Sequence, residues 1–346
     1  MKKVSVIGLF CNGISVADGQ SVKTRIVTEE LEKALGKDQV VRIDTYGWKK
    51  NPLSLFLKCI FSVYNSSNVI FMTDEGGIKV FPWLLLGANL FGHCTLHYIV
   101  IGGWLVQFLN KQPFLANCLR HFDGVYAETT AMKTGLEQLD FHNVTLLPNF
   151  KNLSPLTEEQ LIYNQSEPYR FCTFSRVIRE KGIEDAVNAV KTVNAQFGRS
   201  VCTLDIFGMV DENEREWFET LVSNFSEEIR YCGTVPYEQS VQALKGYFAL
   251  LFPTFFPKEG IPGTIIDAYS AGLPVIASRW ESFHDVIDDG ITGIGYPYLK
   301  NELLTDIISD IVRCPDKILE MKKACLTKAE CFAPDKLIYL LLGRLS

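Results

Sequence analysis

The sequence predicts an α/β protein built on two doubly wound parallel sheets, and three observations support this fold class. Apolar runs of strand length recur along the chain without the polar alternation of a half-exposed strand, as expected for sheets covered on both faces. In the second half these runs alternate with helix-length segments, which indicates parallel strands joined by crossover helices. The length of 346 residues exceeds the size at which a single core stops growing, so two domains are expected.

The first domain is predicted over residues 1–150. Its strands are expected at residues 3–10, 40–44, 68–72, 95–101, 124–128 and 144–147, with helices at 22–35 and 52–64. Residues 80–110 contain no Asp, Glu, Lys or Arg, which raises the possibility of a membrane span. Pro82, Asn89 and the Gly102-Gly103 pair divide this tract into pieces too short to cross a bilayer. A buried helix followed by a buried strand is therefore predicted there.

A polar segment with two prolines, residues 151–168, is predicted to be the linker to the second domain, residues 169–331. The strands of this domain are expected at residues 169–174, 203–207, 229–231, 248–252, 275–277 and near 293. Its helices are expected at residues 183–197, 212–224, 238–246, 262–271, 301–313 and 315–330. A last helix is predicted at residues 334–342.

Charge and cysteine usage exclude several classes of protein. The net charge is −6, but residues 1–150 hold 14 basic and 12 acidic residues, so the acidic excess lies in the rest of the chain. This balance, without a basic run, argues against nucleic acid as a partner and leaves the first domain suited to an anionic membrane. The ten cysteines form no Cys-x-x-Cys pair, which favours buried thiols in a reducing compartment over zinc or disulfides. No signal peptide is predicted.

One segment of the second domain combines a predicted helix start with two carboxylates. Pro262 suits the first helical position, and Gly272 and Pro274 close the helix. The N–H groups of such a start face the carboxyl end of a parallel sheet, where phosphates bind. Glu259 and Asp267 flank it, about two helical turns apart, and each can accept hydrogen bonds from sugar hydroxyls. The alternative is that Glu259 stabilises the helix dipole and Asp267 lies on a solvated face.

A second cluster, of cations, follows the first strand of the same domain. Arg176, Arg179 and Lys181 lie in the predicted loop between that strand and a helix start. Arginine suits bidentate contacts with phosphate oxygens, and lysine supplies a point charge, so the cluster suits a diphosphate. The alternative is a solvated charged loop.

A glycine-containing loop, residues 11–21, joins the first predicted strand to the first predicted helix. Gly13 and Gly19 are candidates for an anion cradle, although their spacing is not that of a dinucleotide-binding loop. The alternative is a turn that requires a positive φ.

The segment from Glu259 through Asp267 to Ala277 is similar to the Glu-x7-Glu signature of glycosyltransferase family 4. This is the retaining group with the GT-B fold, in which two Rossmann-like domains face a cleft. The resemblance implies that Glu259 contacts the donor sugar, and that Asp267, one methylene shorter than the family's glutamate, binds the ribose. The backbone of the helix start would meet the diphosphate, and comprises Gly260, Ile261, Pro262, Gly263 and Thr264.

The cation cluster also resembles this family, in its Gly-Arg-Leu-x-x-x-Lys-Gly motif, with Ser175 in the first glycine's place. By this resemblance Arg176 and Lys181 hold the donor diphosphate, and Arg179 is peripheral. The resemblance covers most of the chain but is strong only in the C-terminal half.

Three implications concern the first domain. The glycine loop would lie on the acceptor side. His97 would point into the cleft from a strand end, and His93 is the other candidate for this position. The alternative is a core residue, since a lone histidine on a strand is more often buried in the core. Pro148-Asn149-Phe150 resembles the family's Pro-Asn-Gly at the domain junction, which makes Asn149 a candidate donor-binding residue. Residues 332–346 would pack back on the first domain.

Taken as a member of this family, the chain is expected to move a hexose-type sugar from a nucleoside diphosphate to an acceptor hydroxyl. The configuration at the anomeric carbon would be retained, and no metal or other cofactor would be required. A nucleotide-sugar 2-epimerase of the same fold and a non-catalytic sugar-nucleotide-binding module are the alternatives. The first half looks most like enzymes that build surface polysaccharides on a polyprenyl carrier. Lys49, Lys50 and Lys58 beside the apolar residues 53–63 predict docking on the inner face of a bacterial cytoplasmic membrane; the alternative is a core-facing helix.

Overall fold

The computed structural model describes residues 2–11 and 19–345, which form two compact units. The first unit contains the described residues up to Asn152 together with those from Phe332 onward, and the second runs from Leu153 to Cys331. Each unit has its own sheet and its own hydrophobic core.

The first unit is built on a six-stranded sheet in the order β2-β1-β3-β4-β5-β6, with every pair parallel. Its strands are β1 Lys2–Gly8, β2 Val40–Asp44, β3 Ser66–Met72, β4 Thr95–Ile99, β5 Gly124–Ala127 and β6 Val144–Leu146. Strand β3 is buried along nearly its whole length because neighbours and helices cover both its edges and its faces. This explains its continuous apolar sequence.

Seven helices connect and cover this sheet within the described residues. They are α1 Gly19–Leu35, α2 Pro52–Asn65, α3 Phe81–Asn89, α4 Leu105–Asn110, α5 Pro113–Arg120, α6 Thr130–Gln138 and the C-terminal α15 Pro334–Leu342. Helix α15 packs on α1 and buries Leu337, Ile338 and Leu341. No helix of the described chain is both long enough and apolar enough to span a bilayer.

The second unit has a six-stranded parallel sheet in the order β12-β11-β10-β7-β8-β9. Its strands are β7 Tyr169–Phe174, β8 Cys202–Phe207, β9 Ile229–Gly233, β10 Ala249–Phe252, β11 Val275–Arg279 and β12 Gly293–Pro297. Its helices are α7 Ile183–Phe197, α8 Arg215–Ser223, α9 Ser240–Leu244, α10 Gly263–Ser270, α11 Phe283–Val286, α12 Leu303–Arg313, α13 Asp316–Leu319 and α14 Met321–Ala329.

The predicted fold class, α/β with two doubly wound parallel sheets, is confirmed. The boundaries differ where local pattern was weak: the helix expected at residues 315–330 is interrupted at Glu320, and the strand expected at 95–101 ends at Ile99. Pro262 caps α10 instead of opening it, since its ψ of 125° is extended. The short helices α4, α5, α6 and α11 were not predicted, because segments of four to nine residues show too few helical turns for a periodic pattern.

The strand order of the second unit reverses between β7 and β10, which are neighbours in the sheet although three helices and two strands separate them in sequence. In open α/β sheets such a switch point opens a crevice at the carboxyl ends of the two strands. Gly182 lies in the loop after β7 with a φ of 70°, and a Cβ there would overlap the carbonyl oxygen of Pro253, in the loop after β10. Glycine is therefore required at this position both by the backbone conformation and by the close approach of two loops.

Gly182→Ala should destabilise the second unit more than Gly198→Ala. Gly198 also has a positive φ, 65°, but no atom lies within 4 Å of a Cβ built there, so its substitution costs only the left-handed backbone, about 1–2 kcal/mol. Gly182→Ala must also displace Pro253, at an additional cost of roughly 1–3 kcal/mol. Urea unfolding measures both, and equal losses would show that the close approach is unimportant.

Candidate functional site

The loops after β7 and β10 bring together two predicted site residues that lie 78 positions apart in sequence, Lys181 and Glu259. The Lys181 ammonium donates a hydrogen bond to Oε2 of Glu259, and the two side chains keep 12% and 8% of their surface exposed. Nζ of Lys181 also lies 5.3 Å and 5.0 Å from the ring centroids of Phe252 and Phe256. Ring faces attract cations, so they help to hold the ammonium at this place.

Thr254 fixes the other side of the Glu259 carboxylate. Its hydroxyl, fully buried, lies 3.0 Å from Oε2 of Glu259 and 3.3 Å from the carbonyl of Glu180, and it accepts the N–H of Phe256 at 3.2 Å. Phe255 N–H donates to the same Glu180 carbonyl at 2.8 Å. The two loops are therefore joined by backbone and side-chain hydrogen bonds as well as by the ion pair.

These bonds use one carboxylate oxygen of Glu259 and leave the other available. Among the described residues, Oε2 receives Lys181 and Thr254, whereas Oε1 has no hydrogen-bond partner. A carboxylate held through one oxygen in this way can accept a hydroxyl of a ligand through the other without changing its own position.

Helix α10 begins just after this carboxylate. The carbonyl of Gly260 accepts the indole N–H of Trp280 at 3.1 Å, and this holds the segment before the helix. The first turn, at Gly263 and Thr264, presents N–H groups that have no acceptor within the helix. The Thr264 hydroxyl oxygen is covered and has no hydrogen-bond partner in the described chain. A helix start beside a lysine is suited to an anion such as phosphate.

The predicted arginines differ in their surroundings. Arg176 directly follows the loop entry at Ser175, is 49% exposed, and lies 3.8 Å from a carboxylate oxygen of Asp211. Arg179 pairs with Glu214 at 3.1 Å and stacks over Trp217 at 4.9 Å. Arg179 thus has a full set of local contacts, whereas the long Arg176 contact leaves its guanidinium able to pair with a ligand.

Asp267 has a different environment from the one predicted. It is only 2% exposed, and its Oδ1 accepts the hydroxyl of Ser240 at 2.8 Å. Neither the solvated face nor an open ribose-binding position describes this side chain. The bond links α10 to α9, which is a structural role.

His97 lies in the middle of β4, two residues before its carboxyl end, and is 1% exposed. Its Nε2 is 3.0 Å from the Thr95 hydroxyl and its Nδ1 is 3.2 Å from the hydroxyl of Tyr126. Thr95 donates its proton to Asn68 at 2.6 Å, so it accepts from Nε2–H, and Nδ1 accepts from Tyr126. Burial lowers the pKa of His97 to about 4. This placement fits the core-residue alternative instead of the predicted cleft position, and the rival His93 is exposed.

The structure describes two of the three remaining predicted residues of the first unit. Gly13 lies outside the described residues. Gly19 is the first residue of α1, without a positive φ and with no atom within 4 Å of a Cβ built there, so the alternative of a turn that requires a positive φ does not hold at Gly19. The side-chain oxygen of Asn149 accepts the N–H of Phe150 at 3.1 Å and shapes the end of the segment after β6.

A buried ion pair that no sequence pattern predicted lies at the carboxyl ends of β4 and β5. Lys23 of α1, 2% exposed, donates to Oε2 of Glu128 at 2.8 Å and to the carbonyl of Val100 at 3.1 Å. The N–H of Gly102 also donates to Oε2 of Glu128, at 3.2 Å. Since a buried charge needs a partner and further hydrogen bonds, this cluster fixes the segment after β4.

Thr254 and Trp280 are site residues that sequence reasoning missed, and it also missed the bond from Ser240 to Asp267. Of these residues, only Thr254 could have been predicted from the sequence. Its hydroxyl follows closely after the predicted strand at residues 248–252, at the edge of the sheet where ligands bind. Trp280 and Ser240 act through bonds to residues 20 and 27 positions away, which no local pattern reveals.

The two doubly wound units are those of the GT-B fold. Over the full length of both chains, the chain is similar to Anabaena HepE in complex with UDP-glucose, at 13% identity and a TM-score of 0.75. It is also similar to sucrose-phosphate synthase from Thermosynechococcus elongatus, at 16% identity and a TM-score of 0.77, with 100% of this chain and 98% of that chain covered. The pneumococcal O-GlcNAc transferase GtfA in complex with UDP and GlcNAc matches 84% of this chain and 58% of its own, at 17% identity and a TM-score of 0.64.

Residues 168–313 match the family model described as "Glycosyl transferases group 1". The matched region holds both loops that form the Lys181–Glu259 pair, and it identifies the protein as a glycosyltransferase. No curated protein sequence matches the chain at the significance threshold applied. The predicted GT-B fold and the predicted enzyme class, a glycosyltransferase, are confirmed, whereas membership of family 4 and retention at the anomeric carbon stay predictions.

Thr254→Val should impair the site while Thr254→Ser preserves it. Valine keeps the shape of threonine but leaves the Glu259 carboxylate without its second hydrogen bond, at a cost of about 1–2 kcal/mol. We expect catalytic efficiency to fall roughly tenfold and the melting temperature to fall by a few degrees, because the N–H of Phe256 also loses its acceptor. Steady-state kinetics of both variants beside thermal melts checks this, and equal activity in both variants would contradict a positioning role for the hydroxyl.

His97→Gln should change the pH dependence of stability more than it changes catalysis. The folded-state pKa is about 4 and the ordinary value is 6.5, so the unfolded chain binds the extra proton between these pH values. The free energy of unfolding should therefore fall as the pH drops from 6.5 to 4, by up to about 1.4 kcal/mol per pH unit. Urea unfolding at pH 7 and pH 5 tests whether the variant loses this slope. A large loss of turnover with an unchanged slope would instead restore the catalytic role.

Proposed function

We propose that the protein moves a hexose-type sugar from a nucleoside diphosphate to an acceptor hydroxyl, with retention at the anomeric carbon. The observation that carries this proposal is the Glu259 carboxylate, which Lys181 and Thr254 fix through one oxygen while the other has no partner in the described chain. Beside it lie a lysine and the start of α10, which suit a diphosphate. The complex of HepE with UDP-glucose supports a donor of this class.

Each group has a definite part in the proposed donor site. Lys181 and Arg176 pair with diphosphate oxygens, together with the N–H groups of Gly263 and Thr264, and Glu259 accepts a hydrogen bond from a hydroxyl of the sugar through Oε1. These cations and N–H groups supply the charge that a metal would otherwise supply, so no metal is included in the proposal. Asp267 is not included, because contact with a ribose would require it to leave Ser240.

The proposed reaction takes place on one face of the sugar. The bond between the anomeric carbon and the phosphate oxygen breaks, a bond to the acceptor oxygen forms on the same face, and the acceptor proton passes to the departing phosphate. The chain then needs no separate general base. It contributes orientation of the two substrates and stabilisation of the charge that develops on the leaving diphosphate.

The acceptor is proposed to be a glycan linked to a polyprenyl diphosphate, used in the synthesis of capsule or another surface polysaccharide. The resemblance of the first half to enzymes of that kind supports this choice. The chain would then work at the inner face of the cytoplasmic membrane, where the small basic excess of residues 1–150 favours anionic lipid.

Lys181→Ala and Arg176→Ala should each reduce catalytic efficiency severely, whereas Arg179→Ala should not. Loss of a charge-assisted hydrogen bond to the leaving diphosphate should cost roughly 2–4 kcal/mol, which is about 30-fold to 1,000-fold in kcat/KM. Arg179 is the matched control, since it lies in the same loop and is already paired with Glu214. The measurement is release of nucleoside diphosphate from a panel of nucleotide sugars, with membrane-extracted lipid acceptor present or absent.

The same measurement separates the alternatives. Release that requires an acceptor supports a transferase, whereas conversion of the donor into its 2-epimer supports an epimerase. Binding of donor without either reaction would support a binding module. Near-normal turnover of Lys181→Ala would contradict the assigned site even if transfer itself were observed.

A further inference from the structure

Helix α2 has apolar side chains on two opposite faces, although only one of them packs in the core. Leu55, Cys59 and Val63 are buried against the sheet. Leu53, Leu57 and Phe61, spaced four residues apart, are 69%, 58% and 68% exposed on the outer face. The core-facing alternative for this helix therefore accounts for half of its apolar residues and leaves the outer row without a structural role.

A second pair of exposed apolar side chains lies close to the C-terminal part of α2. Leu90 and Phe91, just after α3, are 78% and 82% exposed. A Cβ built at the next residue, Gly92, would lie 3.0 Å from the side chain of Val63, so this turn lies against the C-terminal part of α2. We call Leu53, Leu57, Phe61, Leu90 and Phe91 the α2 surface. Tyr64 and Trp83, each 48% exposed, lie on the same two helices.

The core beneath the α2 surface is already complete. Trp48, Phe56 and Phe81 form a cluster of ring contacts, with centroids 5.3–6.3 Å apart, between α2 and the sheet. Five large apolar side chains outside such a core contribute nothing to folding and expose surface that water disfavours. Clustered exposure of this kind marks an interaction surface.

The charges around the α2 surface select its partner. Residues 45–73 contain no Asp or Glu, and residues 80–110 contain no charged residue at all. Lys49, Lys50 and Lys58 are all exposed. A symmetric dimer through this surface would set the lysines against their own copies, and the segment that carries them, residues 45–73, supplies no carboxylate to pair with them. An apolar surface on a segment whose charged residues are all lysines instead matches a bilayer that contains anionic lipid.

We propose that the α2 surface inserts into the headgroup region of an anionic membrane, with α2 lying in the plane of the bilayer. Leu53, Leu57, Phe61, Leu90 and Phe91 enter the boundary with the acyl chains, and the three lysines pair with lipid phosphates. The purpose of this contact, access to a lipid-linked acceptor, rests on the proposed function; the contact itself does not. Two contributions then hold the protein on the membrane. Salt does not weaken the burial of the apolar side chains, but it does weaken the electrostatic attraction between the lysines and the lipid phosphates.

Flotation of the full chain with vesicles tests the proposal without any donor or acceptor. Vesicles of phosphatidylcholine with one quarter phosphatidylglycerol should carry the protein at low salt, and pure phosphatidylcholine should carry much less.

Phe61→Ser with Phe91→Ser should lower binding at least tenfold, and Leu53→Ser with Leu57→Ser similarly. Lys49→Glu with Lys50→Glu should lower it by roughly fivefold or more per lysine at low salt. Tyr339→Ser is the matched control, because Tyr339 is 70% exposed on α15, which packs on α1.

The outcomes separate this proposal from the enzymatic one. Normal release of nucleoside diphosphate from the serine variants, with a detergent-solubilised acceptor, would show that only membrane binding was lost. Absence of flotation, or flotation of Phe61→Ser with Phe91→Ser equal to that of the parent chain, would overturn the membrane surface whatever the activity. A dimer in sedimentation that these substitutions dissolve, without flotation, would assign the α2 surface to a second copy and also overturn it.

Discussion

The ion pair between Lys181 and Glu259 is the interaction on which the candidate site of the second unit depends. It joins two loops that leave neighbouring strands at the point where the strand order reverses. The same loops are joined by the bonds of Thr254 and Phe255 to Glu180 and by the close approach of Gly182 to Pro253. Each contact constrains the others, because displacing one loop would break the ion pair and the hydrogen bonds together. These additional contacts stabilise the nearly buried ion pair, because its carboxylate and ammonium have lost hydration and need further hydrogen-bond partners.

Sequence patterns predicted the sheets and both loops of the site well, and physical reasons explain this. Parallel strands covered on both faces are continuous apolar runs, so residues 169–174 and 40–44 were predicted to the residue. Lys181 and Glu259 were predicted separately, because each follows a buried strand and precedes a helix start. Their pairing was not predicted, because it depends on β7 and β10 being neighbours in the sheet. These two strands are far apart in sequence, so no local pattern indicates that they are adjacent.

The surroundings of two other candidate residues could not be predicted, because they depend on contacts between elements that are distant in sequence. His97 was predicted on the strand at residues 95–101 with its side chain toward the cleft, but its imidazole contacts Thr95 and Tyr126 in the core. Asp267 matches the second acidic position of its motif, but it accepts a hydrogen bond from Ser240 of α9. A motif specifies spacing along a helix, whereas the contacts of a short side chain are decided by its neighbours in space.

The first unit is discontinuous in sequence, because α15 belongs to it while the whole second unit lies between. During synthesis, the second unit therefore emerges complete before the segment that covers α1. Until then, the surface of α1 that receives Leu337, Ile338 and Leu341 remains open to water and to chaperones. The unit made first is thus the unit finished last, and its final packing step joins segments about 300 residues apart on the chain.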